Sequence, residues 1–393
     1  MSVGSAYGPR TVSSVRTRRG RPAPSRLLLR WFDLLCVPLI LAAGISYYDA
    51  IRAPSNLSVI ERSVEWLRGH HFGGTVSNAE TWYYSHHQPA TGGTLSSLPQ
   101  QTSTATITTA NPTGPAGITP LASNPLPGEG TWQPMGDPVG GTAAMEVAYM
   151  RPDSLHGSLL AGVVRIDQHL AKFALVPGQK EPGNGPWPAA DQLNQTGMSM
   201  LLAGFNSGFR IADARGAFVL GGRQSGTLRD GAATAVISAD GTLNIGAWAS
   251  EVSASDHPVA IRQNLDLIVD GGILTTGLDT NVGNRWGRTV GNALYVWRSG
   301  VGIDAQGRIL YVASSGLTVA TLAQLLQRAG AVRAMELDIN HSWVSFNTFH
   351  HASSSRLVGA KLLSGMSKSE NRYLTTDSRD FFAVIARQSL TTS

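Results

Sequence analysis

Two short stretches carry residues able to do chemistry. From Leu201 to Arg223 the chain reads LLAGFNSGFRIADARGAFVLGGR, with Asn206 set between Gly204 and Gly208. Glycine serves where a backbone must turn sharply or approach a ligand closely, and a side-chain amide there both donates and accepts hydrogen bonds. From Ala334 to Trp343 the chain reads AMELDINHSW. On a strand, Met335, Leu337 and Ile339 would share one face and Glu336, Asp338 and Asn340 the other. Two carboxylates and an amide backed by hydrocarbon are what a cleft wall needs, although the same alternation also describes an ordinary half-exposed strand.

Other chemistries lack their residues. Gly204-Phe205-Asn206-Ser207-Gly208 has the spacing of a hydrolase elbow, but Asn206 stands where the serine nucleophile belongs. No GxGxxG follows a strand and no GxxxxGK[ST] occurs, so nucleotide binding by those routes is unsupported. The histidine pairs His70–His71, His86–His87 and His350–His351 fall in no ligand-spaced pattern, so neither a metal nor another cofactor is expected. Of the 31 basic residues, seven are arginines within residues 1–30; the remaining 24 face 26 acidic residues, a balance of −2. By charge the body of the chain is no nucleic-acid binder.

The elements that must hold these residues read mainly as strands. MEVAYM, LLAGVVRID and KFALVPG are short and closed by Pro, Gly or Asp. AATAVISADGTLNIGAW and VGIDAQGRILYVA read as hairpins about Asp240-Gly241 and Gly307. Thr318 offers a cap to a helix whose apolar stripe runs through Val319, Leu322, Leu325, Leu326 and Ala329 and stops at Gly330. That helix joins the strand at Arg308 to Ala313 to the strand at Val332 to Ile339. It is long enough for a parallel crossover that leaves Asp338 and Asn340 at a strand's carboxyl end. The expected fold is α+β, a mixed, largely antiparallel sheet with few helices, preceded by an N-terminal transmembrane helix.

That helix is expected over 27–48, LLLRWFDLLCVPLILAAGISYY, behind a basic cytoplasmic arm at 1–26. An uncleaved anchor and a cleaved signal ending near Ala42-Ala43-Gly44 both fit, and either would export the chain beyond Tyr48. The single cysteine, Cys36, lies in this segment, so the exported part has no disulfide. The expected layout continues with a lead-in segment at 49–90, a Thr/Ser/Gly/Pro-rich linker at 91–143 and a folded domain at 144–393.

Four phrases in order, GFNSGF, RQNLDLIVDGG, WRSGVGID and LDINHSW, resemble the phosphodiester glycosidase family over roughly Met145 to Arg387. Many members carry a glycine run after the Leu-Asp of the last phrase, where this chain has Ile339, Asn340 and His341. The resemblance implies a hydrolase of sugar-1-phosphate diesters, expected in cell-wall or surface glycans, with the diester as its partner; the N-terminal helix would hold it at the cell membrane with the C-terminal domain outside the cytoplasm. Asn206, Arg298, Asp338 and the Asp270-Gly271-Gly272 turn carry over most directly. On this reading Asp338 is base or nucleophile, Glu336 its partner and Asn206 a donor to the sugar or the transition state. Asp270 either takes part in catalysis or closes an Asx turn with the two glycines. The leaving phosphate needs little protonation, whereas the anionic diester needs a planar cationic fork, for which Arg262 and Arg298 are chosen, with Asn264, Asn340, Gly271 and Gly272 completing the substrate contacts. The alternative is a surface protein that binds wall glycan without cutting it.

Overall fold

The computed structural model describes residues 4, 8, 26–52, 58–100, 117–287, 294–353, 356–388 and 390; apart from residues 4, 8 and 26, the expected basic arm lies outside them. The chain divides into two units, Met1–Ala53 and Pro54–Ser393. In the first, α1 spans Arg26–Arg52 with Pro38 inside it. Among the described residues no helix is long and apolar enough to cross a membrane, which corrects the transmembrane helix expected over 27–48. Leu34 to Ile45 is the longest unbroken apolar run there. At the helical rise it reaches about 18 Å, short of the ~30 Å hydrocarbon layer.

The second unit begins with helices. Ser58 caps α2 (Val59–Leu67) in a reciprocal box with Glu61, because a hydroxyl and a carboxylate three residues on satisfy two orphan backbone donors. A π turn over Arg68–Phe72 leads into α3 (Gly73–His86). Arg68 and Glu80 pair at 2.5 Å across this break.

Beyond the helices lie three sheets. The largest runs β1 (Gln133–Met135), β2 (Met145–Met150), β3 (Ala161–Ile166), β14 (Ile309–Leu317), β13 (Val296–Asp304), β15 (Ala331–Asp338), β11 (Leu267–Asp270) and β12 (Ile273–Leu274). A five-stranded sheet is ordered β7 (Arg223–Gly226), β6 (Ala217–Leu220), β10 (Ala260–Gln263), β8 (Ala233–Ile237) and β9 (Leu243–Ala247). The third is ordered β17 (Arg356–Lys361), β16 (Phe346–Ser353), β5 (Leu201–Asn206), β18 (Phe381–Ala386) and β4 (Ala171–Val176). The expected strands and both hairpins are present. Small helices α4 (Gln195–Met198) and α5 (Ile211–Ala214) flank β5.

Helix α6 (Val319–Arg328) is capped by Thr318 as expected and buries Leu322, Leu325 and Leu326. It joins β14 to β15, and both pair antiparallel with β13. The two strands therefore run parallel with β13 between them, and every pairing between strands of the sheets is antiparallel, where a mixed sheet was expected. One face of the large sheet packs on α6, through Val163, Val312 and Ala334. The other, through Tyr311, Met335 and Leu337, meets Phe205, Phe346 and Phe382 of the third sheet and Ile237 and Ile245 of the second.

The stretch expected as a linker at 91–143 is not uniform. Residues 101–116 lie outside the described set, but Leu98, Ile118 and Met135 are buried, and β1 pairs with β2. Composition suggested loose chain because few large apolar residues occur there; of those described, Leu98, Ile118, Met135 and Val139 are packed inside.

Candidate functional site

Asp338 ends β15 at the floor of a cleft also lined by Phe209, Arg210, Asp213, Ile339, Asn340, Trp343 and Arg379. Its Oδ1 accepts from the backbone N–H groups of Ile339 and Asn340 at 2.8 and 2.9 Å. Arg379 Nη2 donates to its Oδ2 at 3.1 Å. Burial pushes the Asp338 carboxyl above the usual aspartate range, against the pull of Arg379 and the two amides. Asn340, as expected, stands beside it, its own Oδ1 accepting from Ser342 N at 2.9 Å in an Asx turn.

The cleft is cationic on two sides. The Arg379 side chain is only 9 % exposed, its guanidinium lies 4.5 Å above the Trp343 ring, and Nη1 has no hydrogen-bond partner in the protein. Arg210, across from it, is drawn down to about 10 by burial and then by the Arg379 charge. Two cations near enough to repel one another are an arrangement that an anion relieves. Arg210 and Arg379 were not singled out in the sequence. A signal existed for Arg379: Asp377-Ser378-Arg379-Asp380 sets three charges directly before the wholly apolar β18, and all four residues are buried.

The structure redistributes the other expected site residues. Glu336 is 1 % exposed, receives Arg298 Nη1 at 2.5 Å, and leaves Oε2 without a partner. Burial pushes its carboxyl up, and the Asp338 charge adds to that, against Arg298. Arg298 is fully buried, with Nε donating to Leu317 O at 2.7 Å. It holds the sheet together and does not face the cleft. Arg262 is likewise fully buried, donating to Asp380 Oδ2 at 2.7 Å, to Gln263 O at 2.7 Å and to Phe209 O. Neither arginine is free to grip phosphate; both guanidinium groups already satisfy buried carboxylates and carbonyls.

Asn206 is a core residue. Its Nδ2 donates to Ser299 Oγ at 3.0 Å, and its Oδ1 accepts from Tyr311 Oη at 3.1 Å and Ser345 N at 3.2 Å. Ser299 is paired with Asp338 across the ladder, so the amide supports the site from beneath and does not reach a ligand. Asn264 is similarly committed, taking Phe209 N at 3.2 Å and donating to Ser207 O at 3.1 Å. The motif glycines fit this packing: a Cβ on Gly208 would lie 2.2 Å from Asn264 Oδ1, and one on Gly204 2.6 Å from the Tyr373 ring.

Asp270, Gly271 and Gly272 belong elsewhere. The two glycines take φ of 59° and 75° in the two-residue hairpin between β11 and β12, a turn that demands left-handed residues. Asp270 is opposite Arg333 in the ladder and pairs with it at 3.3 Å. Arg333 is five strand positions from Asp338, about 16 Å along β15, so the turn is structural. Arg285 pairs with Asp266 at 2.9 Å. The last histidine pair also has a structural use, as His350 and His351 both bond Asp137.

Helices α2 and α3 close the cleft. Glu65, Arg68, Glu80 and Tyr84 complete its lining, Glu65 pairs with Arg210, and Tyr84 packs with Phe209, Leu265 and Ile339. About 40 Å³ remains inside, room for a few waters.

Residues 203–338 match the family model described as phosphodiester glycosidase, a segment that contains the first three phrases and the Leu337-Asp338 that opens the fourth. Among solved structures the chain is similar to the catalytic domain of zebrafish N-acetylglucosamine-1-phosphodiester alpha-N-acetylglucosaminidase, described as auto-inhibited by its pro-peptide. Identity there is 14%, over 65% of this chain and 88% of that one, with a TM-score of 0.41. It is also similar to a hypothetical protein from Synechocystis, at 12% identity over 63% of each chain and a TM-score of 0.36. No curated protein matches the chain significantly.

Proposed function

We propose that this protein hydrolyses glycosyl phosphodiesters, cutting the bond between the sugar's anomeric carbon and the phosphate oxygen. The observation that carries the reading is the Asp338–Arg379 pair. A buried carboxylate of raised proton affinity is held against a guanidinium that lines the same cleft and whose buried Nη1 has no hydrogen-bond partner. One member of the pair suits a proton or an anomeric carbon, the other a phosphate oxygen. In the reaction, Asp338 takes a proton from water as the water oxygen bonds to the anomeric carbon. The carbon–oxygen bond to phosphate breaks and its electron pair leaves with the phosphomonoester. Arg379 and Arg210 hold the charge of that leaving group, which needs no acid because a phosphate is a weak base. The pairing also favours the enzyme over the non-catalytic glycan binder, since the cleft is a closed, charged pit and not an open aromatic groove.

The test is incubation of the purified full chain with a panel of sugar-1-phosphodiesters. Free sugar and phosphomonoester should appear, and Asp338→Asn should lower kcat/KM by about a thousandfold or more, as loss of a general base or nucleophile does. No release from any diester by the wild type would remove the reading. We also infer that the segment containing α1 directs export, so that the substrate is an extracytoplasmic surface or wall glycan. The motivation is the arginine-rich arm ahead of an apolar run, and recovery of the activity in the cytoplasmic fraction would overturn it.

A further inference from the structure

Helix α2 carries two carboxylates with cationic partners, Glu65, which lines the cleft, and Glu61, which lies outside its lining. Glu61 and Glu65 are one turn apart, so both leave the same helix face about 6 Å from each other. Glu61 Oε1 accepts from Lys368 Nζ at 2.7 Å, and Glu65 pairs with Arg210. The Lys368 side chain is 4% exposed and its ammonium lies 5.2 Å from the ring of Trp343, the residue whose ring also carries Arg379. The ion-pair partners of Lys368 and Arg210 are thus supplied by the covering helix. Burial works against the charge on Glu61, yet the bonds from Lys368, Ser342 and Ser58 hold it down to about 2. None of the residues of α2 is fully buried, and residues 61–67 are half-buried. Its ion pairs with Lys368 and Arg210 help to seat it, and of these two cations Arg210 lines the cleft with Asp338. A buried cation needs a partner, so whatever displaces α2 must bring negative charge to the same two places.

We propose that Glu61 and Glu65 stand where two anionic groups of the substrate bind, so that the site takes a glycosyl phosphodiester carrying a second negative group. Arg210, with Arg379, holds the scissile phosphate, and Lys368 holds the second anion on the far side of Trp343. A chain of repeating glycosyl phosphates has this charge pattern and would lift α2 by competing for both cations at once. The proposal rests on the diester reading of the site, but it is tested without turnover.

The experiment is calorimetric titration of the full chain with glycerol 1-phosphate and with glycerol 1,3-bisphosphate. In a Glu61→Gln, Glu65→Gln variant, whose helix no longer competes, the bisphosphate should bind about tenfold tighter than the monophosphate, as expected for one added charge-assisted contact. Adding Lys368→Met should bring the two within about threefold. In the wild type the bisphosphate should raise amide exchange across residues 59–67 more than the monophosphate does. Equal affinities in the double variant, or a bisphosphate preference untouched by Lys368→Met, would overturn the proposal and leave α2 a structural clasp. Cleavage of simple diesters without any bisphosphate preference would sink this inference alone. The preference without cleavage of any diester would sink the hydrolase reading alone.

Discussion

A carboxylate near an arginine is common; what distinguishes Asp338 is that the arginine bonded to it in the cleft keeps one buried nitrogen, Nη1, without a partner. Arg379 lowers the proton affinity that burial raises, so the two effects set the pH at which Asp338 becomes the charged base. Arg379→Met removes the lowering influence. The acid limb of the kcat/KM profile should therefore move to higher pH, beyond any fall in the plateau rate, and a limb that stays in place would mean that Asp338 is not the group being titrated. Strand alternation made Asp338 a candidate, and the family resemblance, not the pattern, separated it from an ordinary half-exposed strand. Neither could choose among arginines. Arg262 and Arg298 sit in the resembling phrases, yet each is wholly buried against an acid, whereas the arginines of the cleft lie outside the phrases or at the edge of one. Burial is decided by strands distant in sequence, and no local spacing reports it.

Elements were more legible than side-chain roles, since hairpin turns, the Thr318 cap and strand alternation are local physics. The crossover through α6 was also local, but the insertion of β13 between β14 and β15 was not, because it depends on a hairpin folding back into the gap. The role of α2 was the least visible, since its charged face reads as a solvated one until Lys368 and Arg210 are brought to it. The pH behaviour of that contact is set by Glu61. A carboxyl held down to about 2 from an ordinary 4.5 contributes its stabilisation in full above about 4.5 and loses it only as pH falls toward 2. Mild acid should therefore not open the cover: after correction for intrinsic chemistry, amide exchange over residues 59–67 should be the same at pH 5 and pH 8. Faster exchange at pH 5 would show that another group governs the helix.

At the scale of the whole second unit, the cleft depends on a chain of buried charges that ties the C-terminal segment to the sheets. Arg372 donates to Asp377 Oδ2 at 2.5 Å and to Ser345 Oγ at 2.7 Å. Asp377 accepts from Arg379 N at 2.9 Å. Arg379 reaches Asp338, and Asp380 reaches Arg262. This network is polar throughout, which is why apolar patterning passed over it, although it fixes where Arg379 points. Its weakest substitution is at Asp377, whose side chain is 2 % exposed beside an arginine at 1 %. Removing one partner of a buried pair leaves the other uncompensated, so Asp377→Asn should cost about 3–5 kcal/mol in urea unfolding at pH 7. Burial alone would raise the Asp377 carboxyl, but Arg372 and the Arg379 amide bring it below the usual aspartate range. With a depressed folded value, its contribution is present above the unfolded value near 3.9 and is lost as pH falls through the folded one. Wild type should therefore lose part of its advantage over Asp377→Asn between about pH 4 and the folded value. If the two proteins differ as much at pH 2.5 as at pH 7, the ion pair is not what holds the segment, and the aim of Arg379 must be set by its stacking on Trp343 instead.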